Sequence, residues 1–418
     1  MIKIGIKKVW SIINLPPRKT LTKRPKRHCP SELQFVLLYS NEKSVPLSAE
    51  KRNHMVKIET KLPKEKKKPK KKNGKGVRFT IILVISILLV FALAFAYWAY
   101  QTVMSPNVTT PEGKDAVVFV PTGSSYDDLQ AILSEAKVLD NEQIFNWVAK
   151  HKELPTNVRP GRYVLKNGMS NNQLVNMLRG GLQTPVNVTF NNVRDVDQLA
   201  GRIAKQIEAD SASISNLFHN EGYIRQLGFN DYTLPALFLP DTYQFYWNTD
   251  AEGFAVRMFQ EYSKFWTEER KEQAQNLGLS PIQVSILASI VNKETNMTDE
   301  MPRVAGVYLN RLKSNWLLQA DPTLIFAWND YSIRRVLNVH KEIESPYNTY
   351  KYVGLPPGPI CIPSVAAVKA VLNAEQHHYY YFCAKEDFSG YHNFAKTLAE
   401  HNRNAARYQQ ALNQRGIR

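Results

Sequence analysis

The clearest helical pattern of apolar and polar residues lies between Leu279 and Glu294. Ser280 is a candidate N-cap, Pro281 occupies the first helical position, and Gln283 follows three residues after the cap. This combination predicts a capping box at the start of a helix. The apolar residues that follow recur at helical spacing, so the helix is predicted to be largely buried. They are Val284, Ile286, Leu287, Ile290 and Val291.

Glu294 falls three residues after Val291 and four after Ile290, on the apolar face near the C-terminus of this predicted helix. Burial and the negative end of the helix dipole both disfavour the ionised carboxylate, so we expect its pKa to be raised. A general acid must be protonated, and this position suits acid catalysis. The alternative is that Glu294 ends the helix in solvent, or that it pairs with Lys293 or Arg311.

The pattern of residues 116–185 predicts a compact α+β subdomain. Residues 117–120 and 162–165 have the composition of strands, and Ser125 is a candidate N-cap for a first helix. A second helix is centred on Phe145, and a third follows the second strand. Nothing in this segment has the pattern of an active site.

Residues 186–418 are predicted to form a larger α+β domain. A strand at residues 185–190 is followed by helices, and a later helix begins near Pro302. The run at residues 237–245 predicts a turn in the wall of a core, and residues 379–382 form an aromatic strand. The fold class is therefore α+β.

Residues 79–100 contain no charged side chain over 22 positions and are rich in Ile, Leu, Val, Phe and Ala. That length spans a hydrocarbon core of about 30 Å, so a transmembrane helix is predicted. Tyr97, Trp98 and Tyr100 form an aromatic belt at its far end, and the lysines before it orient the N-terminus towards the cytoplasm. A cleaved signal peptide is disfavoured because the apolar run is too long and lacks a clean cleavage site. Residues 101–115 then form a linker.

The net charge of +17 is concentrated in one tail. Residues 1–78 carry 23 Lys or Arg and 5 Glu, whereas the remainder carries 31 basic and 32 acidic residues. The tail is predicted to be a disordered cytoplasmic segment because it has little apolar periodicity. A nucleic-acid-binding domain would carry its basic excess on the folded part, so we expect no nucleic-acid partner. Met55 begins a compact basic tail, and residues 1–54 are interpreted as an upstream extension from a misassigned start.

The three cysteines, Cys29, Cys361 and Cys383, are too few for a disulfide scaffold. Cys361 and Cys383 could pair outside the cytoplasm, and the sequence leaves this open. The chain contains neither a CxxC motif nor a His cluster, so we expect neither a metal nor a cofactor.

Polar side chains follow the predicted buried helix at three places where the chain turns. An Asp-Pro pair favours an extended or turned backbone at Asp321. In an extended segment Gln319 and Asp321, which are two residues apart, would point the same way. Asn348 and Tyr350 fall in a proline-rich loop region, whose stiffness reduces the entropy lost on clamping a ligand. His392 follows the aromatic strand. Aromatic faces beside Asn, Gln and Asp suit a carbohydrate, because sugar C–H faces stack on rings while hydroxyls form hydrogen bonds.

At these residues the chain resembles a known family, the endolytic murein transglycosylases of the MltG/YceG-like type. The resemblance runs along nearly all of residues 116–410. Glu294 matches the catalytic glutamate of the family, whereas Asn292 replaces the first Glu of its usual Glu-Lys-Glu-Thr segment. Residues 234–239 also depart from the family, whose members often carry Glu-Gly there. The most specific segments are residues 288–295, 304–312, 318–323, 347–350, 354–358 and 392–402.

The resemblance implies a single-pass anchor in the cell inner (plasma) membrane, a LysM-like subdomain at residues 116–185 and a periplasmic catalytic domain at residues 186–418. It implies a peptidoglycan lytic transglycosylase, a carbon–oxygen lyase that cleaves the MurNAc–GlcNAc bond and leaves a 1,6-anhydro-MurNAc end. It also implies endolytic action that terminates nascent strands. The expected partners are peptidoglycan glycan strands, the cytoplasmic membrane and proteins of cell-wall synthesis. By position, the residues expected to hold the glycan are Gln319, Asp321, Asn348, Tyr350 and His392.

Two alternatives to this function remain open. A muramidase would hydrolyse the same bond and would need a second carboxylate about 5–9.5 Å from Glu294, for which Asp321 is the candidate. A non-catalytic wall-binding anchor would use only the LysM-like subdomain. A third possibility, a nucleic-acid-binding membrane protein, rests on the lysine tail alone.

Overall fold

A computed structural model describes residues 74–333 and 335–416. The predicted tail up to residue 73, with its proposed extension and Cys29, lies outside the described residues. Helix α1, Gly74–Met104, contains the uncharged run, and its segment Arg78–Met104 is long and apolar enough to span a membrane. The chain divides into two compact units at Ala94 and Phe95. The strands, the other helices and the cavities all belong to the second unit.

The first part of this unit contains the elements predicted between residues 116 and 185. β1 and β2 pair antiparallel with Val118 opposite Tyr163, and both side chains are buried. Ser125 and Asp128 form a capping box at the start of α2. The elements are β1 Ala116–Val120, α2 Tyr126–Glu135, α3 Glu142–His151, β2 Gly161–Leu165 and α4 Asn171–Gly180, with 3₁₀ turns at Pro111–Gly113 and Leu154–Thr156.

The middle part packs helices around a second antiparallel pair of strands. Val188 of β3 lies opposite Tyr243 of β4, and the Tyr243 hydroxyl donates to the Leu239 carbonyl at 2.5 Å. Phe218 packs edge-on against Phe238 in the core beneath. The elements are β3 Val186–Thr189, α5 Val196–Ile203, α6 Ser211–Phe218, α7 Glu221–Gln226, the 3₁₀ turn Leu234–Leu237, β4 Thr242–Phe245 and α8 Ala251–Phe265. The turn predicted at residues 237–245 is therefore limited to the residues before β4, because Thr242–Phe245 form that strand.

The last part is built around the predicted buried helix. The capping box of Ser280 and Gln283 is confirmed, and every residue from Val284 to Val291 is buried. The elements are α9 Glu268–Asn276, α10 Pro281–Glu294, α11 Met301–Lys313, α12 Asp321–Trp328, the 3₁₀ turn Asn338–Glu342, α13 Val365–Leu372, β5 Tyr381–Ala384, β6 His392–Ala395 and α14 Leu398–Gln414. Because α10 packs against both α11 and α13, it is apolar all round.

Three separate clusters of buried hydrophobic side chains correspond to these three parts. β5 and β6 form an antiparallel hairpin, which packs against α14. The chain is therefore α+β and mostly helical, with small two-stranded sheets in the described residues. Cys361 and Cys383 are free thiols, so the pairing that the sequence left open is not formed.

Candidate active site

A cavity of about 390 Å³ lies where the end of α10 meets α11, α12 and the β5–β6 hairpin. Its lining residues are Glu294, Tyr308, Arg311, Gln319, Asp321, Tyr350, Tyr381, Phe382, Leu398 and His401. Four of these, Glu294, Gln319, Asp321 and Tyr350, are site residues predicted from the sequence. A larger cavity of about 790 Å³ lies at the N-terminal half of α10, and its lining is mainly apolar. Of these two cavities, the smaller one contains the carboxyl groups.

Glu294 is the last residue of α10 and is partly buried. Its Oε1 accepts a hydrogen bond of 2.6 Å from the Tyr308 hydroxyl. Burial raises the pKa of Glu294 to about 7, assisted by the charge of Asp321, while the Tyr308 hydrogen bond and Arg311 act in the opposite direction. The pKa is thus near neutrality, so the protonated form of Glu294 is much better populated at pH 7 than that of an ordinary glutamate.

These contacts decide between the alternative environments considered for Glu294, which were exposure to solvent and pairing with Lys293 or Arg311. Its side chain lines a cavity and is hydrogen-bonded to Tyr308. Among the described residues, no Lys or Arg lies within ion-pair distance of its carboxylate. The carboxyl group is thus held where burial favours its neutral form.

The backbone of Gln319 and Asp321 is turned and not extended, so the extended one of the two expected conformations is wrong. Gln319 has a φ of 48°, and its N–H donates to the Thr349 carbonyl at 3.0 Å. Asp321 is the first residue of α12, where an N-terminal carboxylate is favoured by the helix dipole. Proline at the following position is compatible with the first turn of a helix. This tight turn, rather than an extended strand, brings both side chains to the cavity.

Tyr350 also lines the cavity and is hydrogen-bonded to Asp321. Its hydroxyl donates to Asp321 Oδ1 at 2.5 Å. Burial first, and then this hydrogen bond, raise the pKa of Tyr350 far above its ordinary value, so the phenol remains protonated and acts as a donor. The pair closes the side of the cavity formed by α12 and the proline-rich loop.

Asn348 and His392 do not line the cavity. Asn348 is fully buried, its Nδ2 donates to the carbonyls of Lys341 and Ile343, and its Oδ1 accepts from the Tyr350 N–H. Both the nitrogen and the oxygen of its amide group are therefore engaged, and they hold the loop that carries Tyr350 in place.

His392 is likewise engaged away from the cavity. Its Nδ1 lies 2.7 Å from Oε2 of the buried Glu300, and its backbone N–H donates to the same carboxylate at 2.8 Å. Its ring packs edge-on against Phe382, with centroids 5.3 Å apart. His392 thus supports a side chain that lines the cavity.

Six lining residues were not predicted: Tyr308, Arg311, Tyr381, Phe382, Leu398 and His401. Tyr308 and Arg311 lie three residues apart on α11, so they share a helix face, and that face could have been identified from spacing. The sequence does not reveal that this face meets the end of α10. Within the described ranges, no group of three or more His, Cys, Asp or Glu residues is placed to hold a metal.

The chain is similar in sequence to one protein family and to characterised bacterial proteins. The sequence model of the YceG-like family matches residues 118–407. The endolytic murein transglycosylase of Bacillus subtilis strain 168 is 29% identical over 312 residues, covering 71% of this chain and 85% of that protein. That of Streptococcus pneumoniae serotype 2 strain D39 is 27% identical over 362 residues, covering 78% of this chain and 65% of that protein.

This chain therefore spans slightly less than two thirds of the streptococcal protein. The crystal structure of a YceG-like protein from Listeria monocytogenes is 27% identical in sequence and superimposes with a TM-score of 0.47. That match covers 69% of this chain and 98% of the other.

Proposed function

This chain belongs to the YceG-like family, and from that premise we propose that it is a lytic transglycosylase of peptidoglycan. The observation that carries the proposal is Glu294, a cavity-lining carboxyl group whose pKa is raised to about 7. The relatives named endolytic murein transglycosylase support the same activity. Their name is also the ground for proposing that cleavage occurs within strands. The family resemblance is the ground for proposing that this cleavage terminates nascent glycan strands.

In the proposed reaction Glu294 acts first as an acid and then as a base. The protonated carboxyl donates its proton to the glycosidic oxygen between MurNAc and GlcNAc as the C1–O bond breaks. The resulting carboxylate takes the proton of the muramyl C6 hydroxyl, whose oxygen bonds to C1 and closes a 1,6-anhydro ring. The nucleophile belongs to the substrate, so the reaction consumes no water and benefits from proximity.

The surroundings of Glu294 suit both halves of this cycle. Burial stabilises the neutral acid before proton transfer, and the Tyr308 hydroxyl and the positive charge of Arg311 stabilise the carboxylate after it. Because these influences oppose each other, the pKa remains near neutrality. A group with such a pKa transfers a proton efficiently in both directions at pH 7.

The remaining lining residues are proposed to hold the glycan. Gln319, Asp321 and Tyr350 would form hydrogen bonds with sugar hydroxyl and acetamido groups, while the rings of Tyr381 and Phe382 offer faces for stacking. Asn348 and His392 are proposed to position these walls rather than to contact the substrate.

We also propose the domain organisation and location that the family resemblance implies. α1 would anchor the chain in the plasma membrane with its N-terminus in the cytoplasm, and the catalytic domain, residues 186–418, would lie outside it, in the periplasm. Residues 116–185, whose β1, α2, α3 and β2 occur in the order strand, helix, helix, strand, would form a LysM-like subdomain. Its partners would be glycan strands and proteins of cell-wall synthesis.

The second candidate is a muramidase, and the presence of Asp321 in the same cavity is the observation that favours it. As base or nucleophile, Asp321 would need a free carboxylate oxygen facing the anomeric carbon. One of its oxygens already accepts the Tyr350 hydrogen bond. We therefore place transglycosylation first.

Product mass decides between the two activities. Isolated glycan strands are incubated with the full chain, and the new ends are analysed by mass spectrometry. A 1,6-anhydro-muramyl end supports the transglycosylase, whereas a reducing end, heavier by one water, supports the muramidase. An undiminished rate for Glu294→Gln would remove Glu294 from the chemistry, whereas the absence of any new end with the wild-type chain would favour the non-catalytic wall-binding anchor.

A further inference from the structure

Trp316 is an exposed aromatic side chain at the rim of the candidate active site. Its exposure is 36%, and it lies in the short segment between α11 and α12 that leads into the cavity at Gln319. Its ring is roughly perpendicular to that of Tyr381, a residue that lines the cavity, with the centroids 5.6 Å apart. Trp316 itself does not line the cavity, so it lies one ring beyond the cavity wall.

The Trp316 ring is supported on one face by Tyr380. The two rings are stacked, with centroids 5.5 Å apart and planes inclined by 29°. The Tyr380 hydroxyl lies 2.9 Å from Oγ of Ser314, so a hydrogen bond fixes the supporting ring. Because Tyr380 packs against one face of the indole, the exposed area of Trp316 lies on the rest of the ring. This exposed surface is thus held in place before any ligand binds.

The backbone around Trp316 is also fixed. Asn315, which precedes it, has a φ of 52°, a left-handed conformation that is uncommon for a residue with a side chain and that is found at ligand-binding sites. The Trp316 N–H donates to the Arg311 carbonyl at 2.9 Å. The Arg311 guanidinium in turn donates to the Leu318 carbonyl at 2.5 Å and to the Tyr380 carbonyl at 2.8 Å. These bonds tie the two aromatic segments together, and a pre-ordered side chain loses little entropy when it binds a ligand.

We propose that Trp316 forms a stacking subsite for an N-acetylhexosamine of the same glycan strand, outside the two sugars joined by the scissile bond. This inference rests on the proposed function, which places a glycan strand in the neighbouring cavity. A pyranose ring has a face of C–H groups, and an aromatic ring binds such a face while the sugar hydroxyls remain in water.

The occupant is a sugar of this strand because the Trp316–Tyr380 pair continues the wall of the proposed glycan cavity through Tyr381. The contact involves the sugar ring and not the lactyl group. It is therefore compatible with nascent strands, which retain their stem peptides. Strands long enough to reach Trp316 should bind more tightly than a disaccharide that contains only the scissile bond.

Binding is measured first, in the full chain carrying Glu294→Gln, so that strands are not consumed during the titration. The ligands are long glycan strands with their stem peptides and the MurNAc–GlcNAc disaccharide, and the readout is the Kd from calorimetry. Adding Trp316→Ala should weaken the binding of long strands about tenfold, because one stacking contact is lost. The affinity for the disaccharide should stay the same, so the gain from disaccharide to long strand should shrink by that factor.

Two further variants show whether stacking is the interaction. Trp316→Phe keeps an aromatic face and should retain most of the affinity for long strands. Tyr246→Ala removes another exposed aromatic ring, outside the cavity, and is the control that should leave every Kd unchanged.

Kinetics on the chain with Glu294 intact give an independent readout. Trp316→Ala should raise KM for long strands about tenfold and leave kcat nearly unchanged, because the contact is made equally in the ground state and in the transition state. A structural disturbance of the catalytic groups would instead lower kcat.

Each outcome supports or overturns the subsite. An unchanged Kd for long strands in Trp316→Ala, with cleavage by the wild-type chain, would overturn the subsite and leave the proposed function intact. An equal loss of affinity for the disaccharide and the long strands would overturn the assignment to a sugar outside the scissile pair. A loss in Trp316→Phe as large as that in Trp316→Ala would overturn stacking. Strands that bind through Trp316 to a wild-type chain that cleaves none of them would support the subsite and overturn the proposed function.

Discussion

The Tyr308 hydroxyl lies 2.6 Å from Oε1 of Glu294, so one oxygen of the candidate acid is occupied before any substrate arrives. Tyr308 is itself almost fully buried, and burial raises its pKa well above the ordinary value, so the phenol keeps its proton. With Oε1 accepting from the phenol, the transferable proton of Glu294 resides on Oε2. Helix α11 thus determines which oxygen of Glu294 faces the substrate.

Tyr308→Phe removes this hydrogen bond and little volume. Because the bond favours the carboxylate, the pKa of Glu294 should rise, and the pH at which kcat/KM is half-maximal should increase by about one. The rate below pH 7 should fall about tenfold, since the carboxylate left by proton transfer loses a donor. The matched control is Tyr352→Phe, whose hydroxyl bonds Glu344 outside the cavity. A pH profile identical to that of the wild type would contradict this role for Tyr308.

The wild-type pH profile follows from the pKa of Glu294 at about 7. The acid must be protonated, so kcat/KM should be nearly constant below pH 6 and should fall about tenfold for each pH unit well above 7. Rates are measured from the release of anhydro-muramyl ends in buffers of constant ionic strength. A decline that begins near pH 4.5, where an ordinary glutamate ionises, would show that burial does not protect this proton.

Stability should depend on pH through the same group. Unfolded Glu294 ionises near 4.5 and folded Glu294 near 7, so the folded state binds more protons between these values. The stabilisation associated with the proton is therefore fully present below 4.5 and is lost as the pH rises through 7. Glu294→Gln, which stays neutral, should be more stable than the wild type at pH 8 by roughly 2–3 kcal/mol. At pH 4.5 the difference should be small.

Chemical denaturation at the two pH values measures this difference. Glu269→Gln changes an exposed carboxylate on α9 and serves as the control, with no pH-dependent gain. If Glu294→Gln were equally stable relative to the wild type at both pH values, the carboxylate would not be experiencing a costly environment.

Asp321→Asn separates a binding role from a chemical one. In a transglycosylase Asp321 holds Tyr350 and the glycan, so we expect kcat/KM to fall about tenfold while anhydro-muramyl ends are still formed. Glu294→Gln should instead cost about 10²–10⁴-fold. A loss in Asp321→Asn as large as that of Glu294→Gln, together with reducing ends from the wild type, would establish hydrolysis.

Asn348→Ala should lower the stability of the fold and, through the loop that carries Tyr350, weaken substrate binding. Three hydrogen bonds of a fully buried amide are lost, and the unfolding free energy should drop by about 3 kcal/mol. Since one of these bonds holds the Tyr350 N–H, KM should rise more than kcat falls. Asn338→Ala, at an exposed position of the nearby 3₁₀ turn, is the control for denaturation and kinetics. An unchanged stability would mean that the loop is held by other contacts.

Local patterns in the sequence were sufficient to predict most of the secondary structure and the candidate acid. The capping box at Ser280, the buried helix and the position of Glu294 at its end all depend on residues close together in the chain. The 22-residue uncharged run likewise predicted a helix long enough to span a membrane. In each case the physical cause is a repeat or a cap that acts within a few turns.

The residues that line the cavity around that acid were decided only by tertiary packing. Tyr308 lies 14 residues beyond Glu294, and His401 lies more than 100 residues beyond it, so no local spacing links them. Asparagine is a common residue type in ligand-binding sites. In this fold, however, the side-chain amide of Asn348 forms hydrogen bonds with the backbone of its own loop. A helical period specifies which face of a helix is buried, whereas the crossing of helices and the hairpin determines which side chains meet in the cavity.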